Sequence, residues 1–233
     1  MTLLMSAPAP SQPDPVPPDA ELWRQVKRTV HGVPVGDDQI RMIIDAIADG
    51  LALNADDHVL DLACGNGGLS RYLFDRIAGL YGCDLSESLI AVARRYFAAP
   101  PRFEFTLTDV VTCVNGVDAP QRFTKMLCYG SFSYFSPDEA VAVLDGLSRR
   151  FPRVTHAYLG NLPDKDCAER FFPPGEAQRQ VLDDHRTAIG VWRTTAEMTR
   201  LAETCGWRAR FHQMPAGFYA AHYRYDVVLE RLR

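Results

Sequence analysis

His58-Val59-Leu60-Asp61-Leu62-Ala63-Cys64-Gly65-Asn66-Gly67-Gly68 runs from an apolar segment of strand length straight into glycines. A short apolar run bounded by turn residues reads as a buried strand. Gly65, Gly67 and Gly68 allow a positive φ and a close approach of the backbone to a ligand. Residues 69–77 read as a helix, whose first N–H groups lack intrahelical partners and face the loop. A strand, a glycine turn and a helix in that order place a ligand crevice at the carboxyl end of a parallel sheet.

The same period recurs along the chain. Residues 79–84 read as a second strand, and Ser86 caps a helix carrying Leu89, Ile90, Val92, Ala93 and Phe97. Residues 103–107 form a third strand, 123–129 a fourth and 154–159 a fifth. Between the last two, Ser136-Pro137-Asp138-Glu139 has a capping serine, a proline at the first helical position and acids at the positive end of the dipole. Thr194 or Thr195 opens another helix, which Gly206 ends. Residues 207–213 and 219–229 alternate as two strands, with Met214-Pro215-Ala216-Gly217 as their hairpin turn. Upstream, Leu22, Trp23 and Val26 share one helical face, and Asp37 is the candidate cap of a helix with Ile40, Ile43, Ile44 and Ile47. Alternating strands and helices predict an α/β fold with a mostly parallel, doubly wound sheet and one antiparallel strand from the terminal hairpin.

The chain has 233 residues and a formal net charge of −4, which suits one α/β domain and disfavours bulk binding of nucleic acid. Its apolar fraction of 47% is that of a globular protein. Six dispersed cysteines without a C-x-x-C pair read as reduced thiols, which implies a cytoplasmic location. No His/Cys cluster has zinc spacing, so no metal is expected. Apolar runs are strand-sized, and no membrane span is expected. Residues 1–5 lack the basic flank and apolar run of a signal peptide. Residues 1–18, rich in Pro, Ala, Ser and Asp, are expected to form a disordered tail. Residues 19–56 are expected to be helices capping the cofactor site. Residues 57–233 form the main domain, with an insertion at 161–192 as a substrate lid.

The loop chemistry separates two ligand classes. A dinucleotide site requires G-x-G-x-x-G with a pyrophosphate on the helix. Here Ala63 replaces the first glycine, and Asp61 places an anion inside the strand, which suits a ligand with an ammonium or sulfonium centre. The stretch from Val59 to Gly67 resembles motif I of the class I S-adenosylmethionine (SAM) methyltransferases, and the resemblance extends over residues 59–229. It implies a Rossmann-like seven-stranded sheet in the order 3-2-1-4-5-7-6 and SAM as cofactor. It further implies cofactor contacts from Asp61, Ala63, Gly65, Asn66 and Gly67. Asp84, 19 residues after Gly65, corresponds to the acid that grips the ribose hydroxyls, with Leu85 beside the adenine. Asp109 and Val110 correspond to the pair near the adenine amino group. Tyr129 and Gly130, at the end of the fourth strand, are expected to touch SAM. Gln25-Val26-Lys27-Arg28-Thr29-Val30-His31-Gly32-Val33-Pro34 is similar to a stretch in some bacterial methyltransferases acting on sugars and other small molecules. Arg28 or Lys27 would meet the SAM carboxylate.

The resemblance implies methyl transfer to a small molecule. An alcohol acceptor, such as a sugar hydroxyl, would be helped by a general base. His222, early in the last strand, and His185, in the 161–192 insertion, are the candidates. Tyr134 and Ser133 are candidates for hydrogen bonding to the acceptor. His58 and His156 belong to the opposite edge. The absence of Asn-Pro-Pro-Tyr disfavours amino methylation of nucleic-acid bases. Two alternatives stand beside this reading: a SAM-binding regulatory protein without catalysis, and an NAD(P)-dependent oxidoreductase.

Overall fold

The computed structural model describes residues 15–232, apart from the side chain of Gln178. The expected disordered tail falls outside the described residues as far as residue 14, and residues 15–18 carry no regular element. The helices are α1 (Asp19–Gln25), α2 (Asp37–Leu51), α3 (Glu87–Tyr96), α4 (Val110–Gly116), α5 (Pro137–Arg150) and α6 (Thr195–Thr204). A two-stranded ribbon, β1 (Thr29–Val30) and β2 (Val33–Pro34), links α1 to α2. The main sheet comprises β3 (His58–Leu62), β4 (Gly79–Asp84), β5 (Phe103–Leu107), β6 (Lys125–Tyr129), β7 (His156–Pro163), β8 (Trp207–His212) and β9 (Arg224–Arg231).

Its order is β5-β4-β3-β6-β7-β9-β8. Counted from β3, that is 3-2-1-4-5-7-6, with β9 antiparallel to both neighbours. Strand order reverses at β3, so β3 and β6 diverge in their connections and leave a crevice at their carboxyl ends. All five β6 residues are buried, as a central parallel strand covered on both faces requires. One face carries α4, α5 and α6, with Leu144, Leu147, Phe151 and Trp207 fully buried. The other carries α1, α2 and α3, with Trp23, Ile43, Ile47 and Ile90 in its core.

Several local expectations change in the structure. Residues 70–76 form a 3₁₀ segment rather than an α-helix, because the tight glycine turn leaves only two turns of chain before β4. Asp37 is the first residue of α2, and Gly36 takes the cap position without a side-chain bond. β7 runs on to Pro163, past a bulge between Leu159 and Leu162, so the excursion toward α6 begins at Asp164 and not at residue 161. β9 begins at Arg224, and residues 213–223 form a long turn in place of the four-residue hairpin. Tyr219 and Tyr223, within the stretch read as a strand, both sit in that turn, partly buried against the core. α1 and the ribbon lie at the glycine loop, whereas α2 packs on the sheet, with Gly50 against the ring of Tyr158.

Two devices fix α5. Ser136 accepts from Glu139 N at 3.2 Å while Glu139 accepts from Ser136 N at 2.8 Å, a reciprocal capping box. At the other end, Arg231 donates to the carbonyls of Leu147 and Ser148 in the last turn and of Phe151 and Val154 just beyond it. Ser136→Ala removes one half of the box and should lower stability by about 1 kcal/mol. A fall in the urea midpoint without a change in slope checks this.

Candidate functional site

The loop after β3 is shaped by three constraints. Ala63 has a φ of +57°, a left-handed conformation that tolerates only small cost in a small side chain. Gly65 has a φ of +59°, and a Cβ there would lie 2.9 Å from Val26 Cγ1, so the loop and α1 can approach only through a glycine. Asn66 is buried and closes the contact: its amide donates to Leu22 O at 2.9 Å and Gln25 Oε1 at 3.0 Å, and its oxygen accepts from Gly68 N at 3.0 Å. The Asn66 side chain thus binds α1 to the loop.

Asp84 ends β4 beside this loop. Its carboxylate accepts from Gly65 N at 2.8 Å and from Ser86 N at 2.9 Å. Both oxygens keep a further lone pair for a ligand hydroxyl. Leu85 projects next to it with 73% of its surface exposed, an apolar side chain with nothing from the protein over it. Asp109 caps α4 by accepting from Thr112 N at 2.7 Å, and these hydrogen bonds hold its carboxyl below the usual range. Val110 is buried in the core, so only its backbone is available to a ligand. Asp84, Leu85 and Asp109 form an open shelf at the ends of β4 and β5, with Val110 buried beneath it and none of the four lining the cavity.

Beside the shelf is a cavity of about 1030 Å³, which Asp61, Ala63, Asn66 and Gly130 line from the sheet side. Asp61 is 4% exposed and accepts from Ser70 Oγ at 2.5 Å. Burial pushes its carboxyl up to about 7, with the Asp84 charge adding and the Ser70 bond and Arg28 opposing. Arg28 comes in from the strap between α1 and β1. Its guanidinium lies 5.2 Å from the Trp23 ring centre and 5.4 Å from that of Tyr129. Its remaining exposure is to the cavity, and burial in the surrounding protein lowers its pKa. The Tyr129 hydroxyl is buried without a hydrogen-bond partner. Burial holds it well above the usual phenol value.

The far end of the cavity is built by the excursion after β7 and the turn before β9. His185 and His222 both line it, and His222 rests on the Tyr223 ring at 4.7 Å. Tyr134 also lines it, and its hydroxyl donates to Ala188 O at 2.9 Å. Ser133 is buried instead, and its carbonyl takes the N–H of Val191 at 2.7 Å. Phe171, Phe172, Trp192 and Tyr223 form an aromatic cluster under the excursion. His58 and His156 begin β3 and β7, at the opposite edge of the sheet.

Asn161, Tyr219 and Arg224 also face the cavity, and the sequence reading did not single them out. One signal was present: Asp226 interrupts the apolar run Tyr225-Asp226-Val227-Val228-Leu229. It is 2% exposed and accepts from Tyr158 Oη and from Asn161 N, each at 2.6 Å. The second bond fixes Asn161 at a φ of +63° in the bulge of β7.

The arrangement is suited to SAM. An exposed leucine stands next to a carboxylate with free lone pairs, a setting that a nucleoside could use. A buried carboxylate and a half-buried guanidinium share one cavity, as the two ends of an amino acid would require. Among the described residues, no helix is long and apolar enough to cross a membrane.

Comparison with known proteins agrees. Residues 59–151 match a family described as a methyltransferase domain. Ribosomal RNA small subunit methyltransferase A of Synechococcus sp. (strain RCC307) is 30% identical over 96 residues, which are 41% of this chain and 35% of that protein. The chain thus spans about a third of the length of this curated relative. The methyltransferase domain of bacterial CtHen1-C superposes with a TM-score of 0.60 at 18% identity, over 84% of this chain and 99% of that one. Magnesium protoporphyrin IX methyltransferase from Synechocystis PCC 6803, solved with bound SAH (S-adenosylhomocysteine), gives a TM-score of 0.57 at 18% identity, over 91% and 93%. At these identities the solved structures speak for the fold. The chain has the Rossmann-like fold found in SAM-dependent methyltransferases, and its residues 59–151 are similar to a methyltransferase domain.

Proposed function

We propose that this protein transfers the methyl group of SAM to a hydroxyl of a small polar acceptor, a sugar or a similar metabolite. The observation that carries the reading is continuity: one cavity joins Asp61 and Arg28 to His185, His222 and Tyr134. Bound SAM would supply a methyl on a sulfonium, an electrophile that needs an aligned acceptor more than activation. The chain's own residues would do the rest. Asp61 faces the ammonium of the methionine moiety and Arg28 its carboxylate. Asp84 takes the ribose hydroxyls, and Leu85 lies along the adenine. Tyr129 and Gly130 border the methyl. His222 receives the acceptor proton, with His185 as the second candidate. The excursion over residues 164–192 acts as a lid that excludes water, and Tyr134 latches it through Ala188. The enclosing lid favours a small acceptor over a polynucleotide, although the name of the curated relative refers to ribosomal RNA.

Calorimetric titration with SAM should show binding, and Asp84→Ala should weaken it by about tenfold or more, since a charge-assisted hydrogen bond is lost. No heat with the wild-type protein would rule the reading out. With an acceptor in hand, His222→Ala should lower kcat by about a hundredfold at unchanged SAM affinity.

Asp61 links the site to stability. Its ordinary carboxyl value is 3.8, and folding raises it to about 7. Between these values the native state keeps a proton that the unfolded chain has lost, so the ligand-free protein loses stability as pH rises from about 4 to 7 and then levels off. The loss is on the order of a few kcal/mol. Asp61→Asn should remove this slope and cut SAM affinity. Urea midpoints at about pH 5 and about pH 8 provide the measurement, and parallel slopes for the two proteins would refute the assignment.

The lid rests on Gly190, which has a φ of +80° and whose added Cβ would lie 2.3 Å from Ser133 O. Gly190→Ala should displace the lid, raising acceptor KM while leaving SAM binding intact. Steady-state kinetics beside calorimetry would separate the two effects.

A further inference from the structure

Arg224 opens β9 with its guanidinium at the acceptor end of the cavity. It lies 4.9 Å from the centre of the Tyr223 ring, and one N–H bonds the carbonyl of Asn161. It has no ion-pair partner within 4 Å among the described residues. The neighbouring acid, Asp226, feels its charge but bonds Tyr158 and the backbone of Asn161 instead. A guanidinium has five N–H donors, and one bond leaves most of them free.

The charges around the cavity do not cancel. Lys27, Arg28, Arg186 and Arg224 line it, against Asp61 alone among the acids. Arg186 is held by Asp184 at 3.0 Å and is largely neutralised. Arg28 and Asp61 are matched by the two ends of the methionine moiety. That leaves Arg224 unbalanced within the cavity, with Lys27 at the strap. Next to it, Asn161 Oδ1 is buried without a partner. Buried polar atoms in native proteins are normally satisfied, so this unpaired oxygen sets the surroundings of Arg224 apart from the rest of the core.

We propose that the acceptor is an acid, carrying a carboxylate or phosphate that Arg224 grips. This rests on the methyltransferase reading and adds the substrate class to it. The oxyanion is a handle, not the methylated atom. A guanidinium fork stabilises the negative charge it binds and so reduces its nucleophilicity. The atom that receives the methyl is another oxygen, positioned by that grip toward Tyr129 and Gly130. The Asp226–Asn161–Arg224 unit explains why β7 carries a bulge at this point: the bulge turns Asn161 and its carbonyl toward Arg224.

The test uses the full chain saturated with SAH, at constant ionic strength. Inorganic phosphate, benzoate and the neutral isostere benzamide are the probes, followed by phosphorus or proton NMR. One anion or both should bind, with benzamide about tenfold weaker or more. Arg224→Gln should lose about tenfold of the anion affinity, and Arg224→Lys should recover part of it. Unchanged SAH affinity in both variants shows that they are folded. Benzoate alone identifies a carboxylate acceptor, phosphate alone a phosphorylated one, and both together the shared oxyanion chemistry. Binding of neither anion, equal binding of benzamide, or an Arg224→Gln protein that binds like the wild type overturns the proposal. Failure of the wild type to bind SAH is a separate result, seen before any probe is added, and would overturn the methyltransferase reading instead.

Discussion

A buried carboxylate without an ion pair is the constraint around which this molecule is arranged. Asp61 sits in the second half of a central strand, 4% exposed, with one hydroxyl bonded to it and a guanidinium across the cavity. Burying a charge in that way is costly. The carboxyl accordingly shifts toward its neutral form in the ligand-free protein, up to about 7. A cation arriving beside it would reverse that shift, so part of the binding energy of an ammonium ligand is stored in the fold before the ligand arrives. The sheet makes this possible. Only a strand buried on both faces can hold an acid so far from water, and only the point where strand order reverses leaves a crevice above it.

The N-terminal strap depends on the same loop. Asn66 spends its amide on Leu22 and Gln25, and Gly65 admits Val26. These contacts bring Arg28 to the cavity. A side chain that resembles a cofactor ligand in sequence thus works by holding α1 in place. Asp109 is similar, since its capping of α4 accounts for one of its oxygens. In both cases a residue that the resemblance assigns to the cofactor has a structural task that fixes the geometry of its neighbours.

The alternation of strands and helices, the glycine loop and the Ser136 cap of α5 were legible in the sequence, and the sheet order followed from the resemblance that the loop carries. The first three are written in local chemistry: period, glycines and a cap residue. What was not legible depends on contacts far apart in the chain. The bulge at Asn161 is held by Asp226, 65 residues away. The turn over residues 213–223 imitates a strand by alternation, yet Gln39 ties it to α2 through Tyr219 N at 2.9 Å.

That asymmetry has a physical reason. The cofactor end reuses one loop and one strand edge, so short segments of sequence describe it. The acceptor end is assembled from the strap, the bulge of β7, the excursion after it and the turn before β9, four segments that meet only in the folded chain. Its chemistry is carried by which donors and acceptors remain unpaired after the fold has taken the rest. Tyr158 and Asn161 bond the Asp226 carboxylate, Ala188 takes the Tyr134 hydroxyl proton, and Ser133 is buried. Arg224 keeps free N–H donors at the cavity, and it is on this remainder that the proposed oxyanion grip rests.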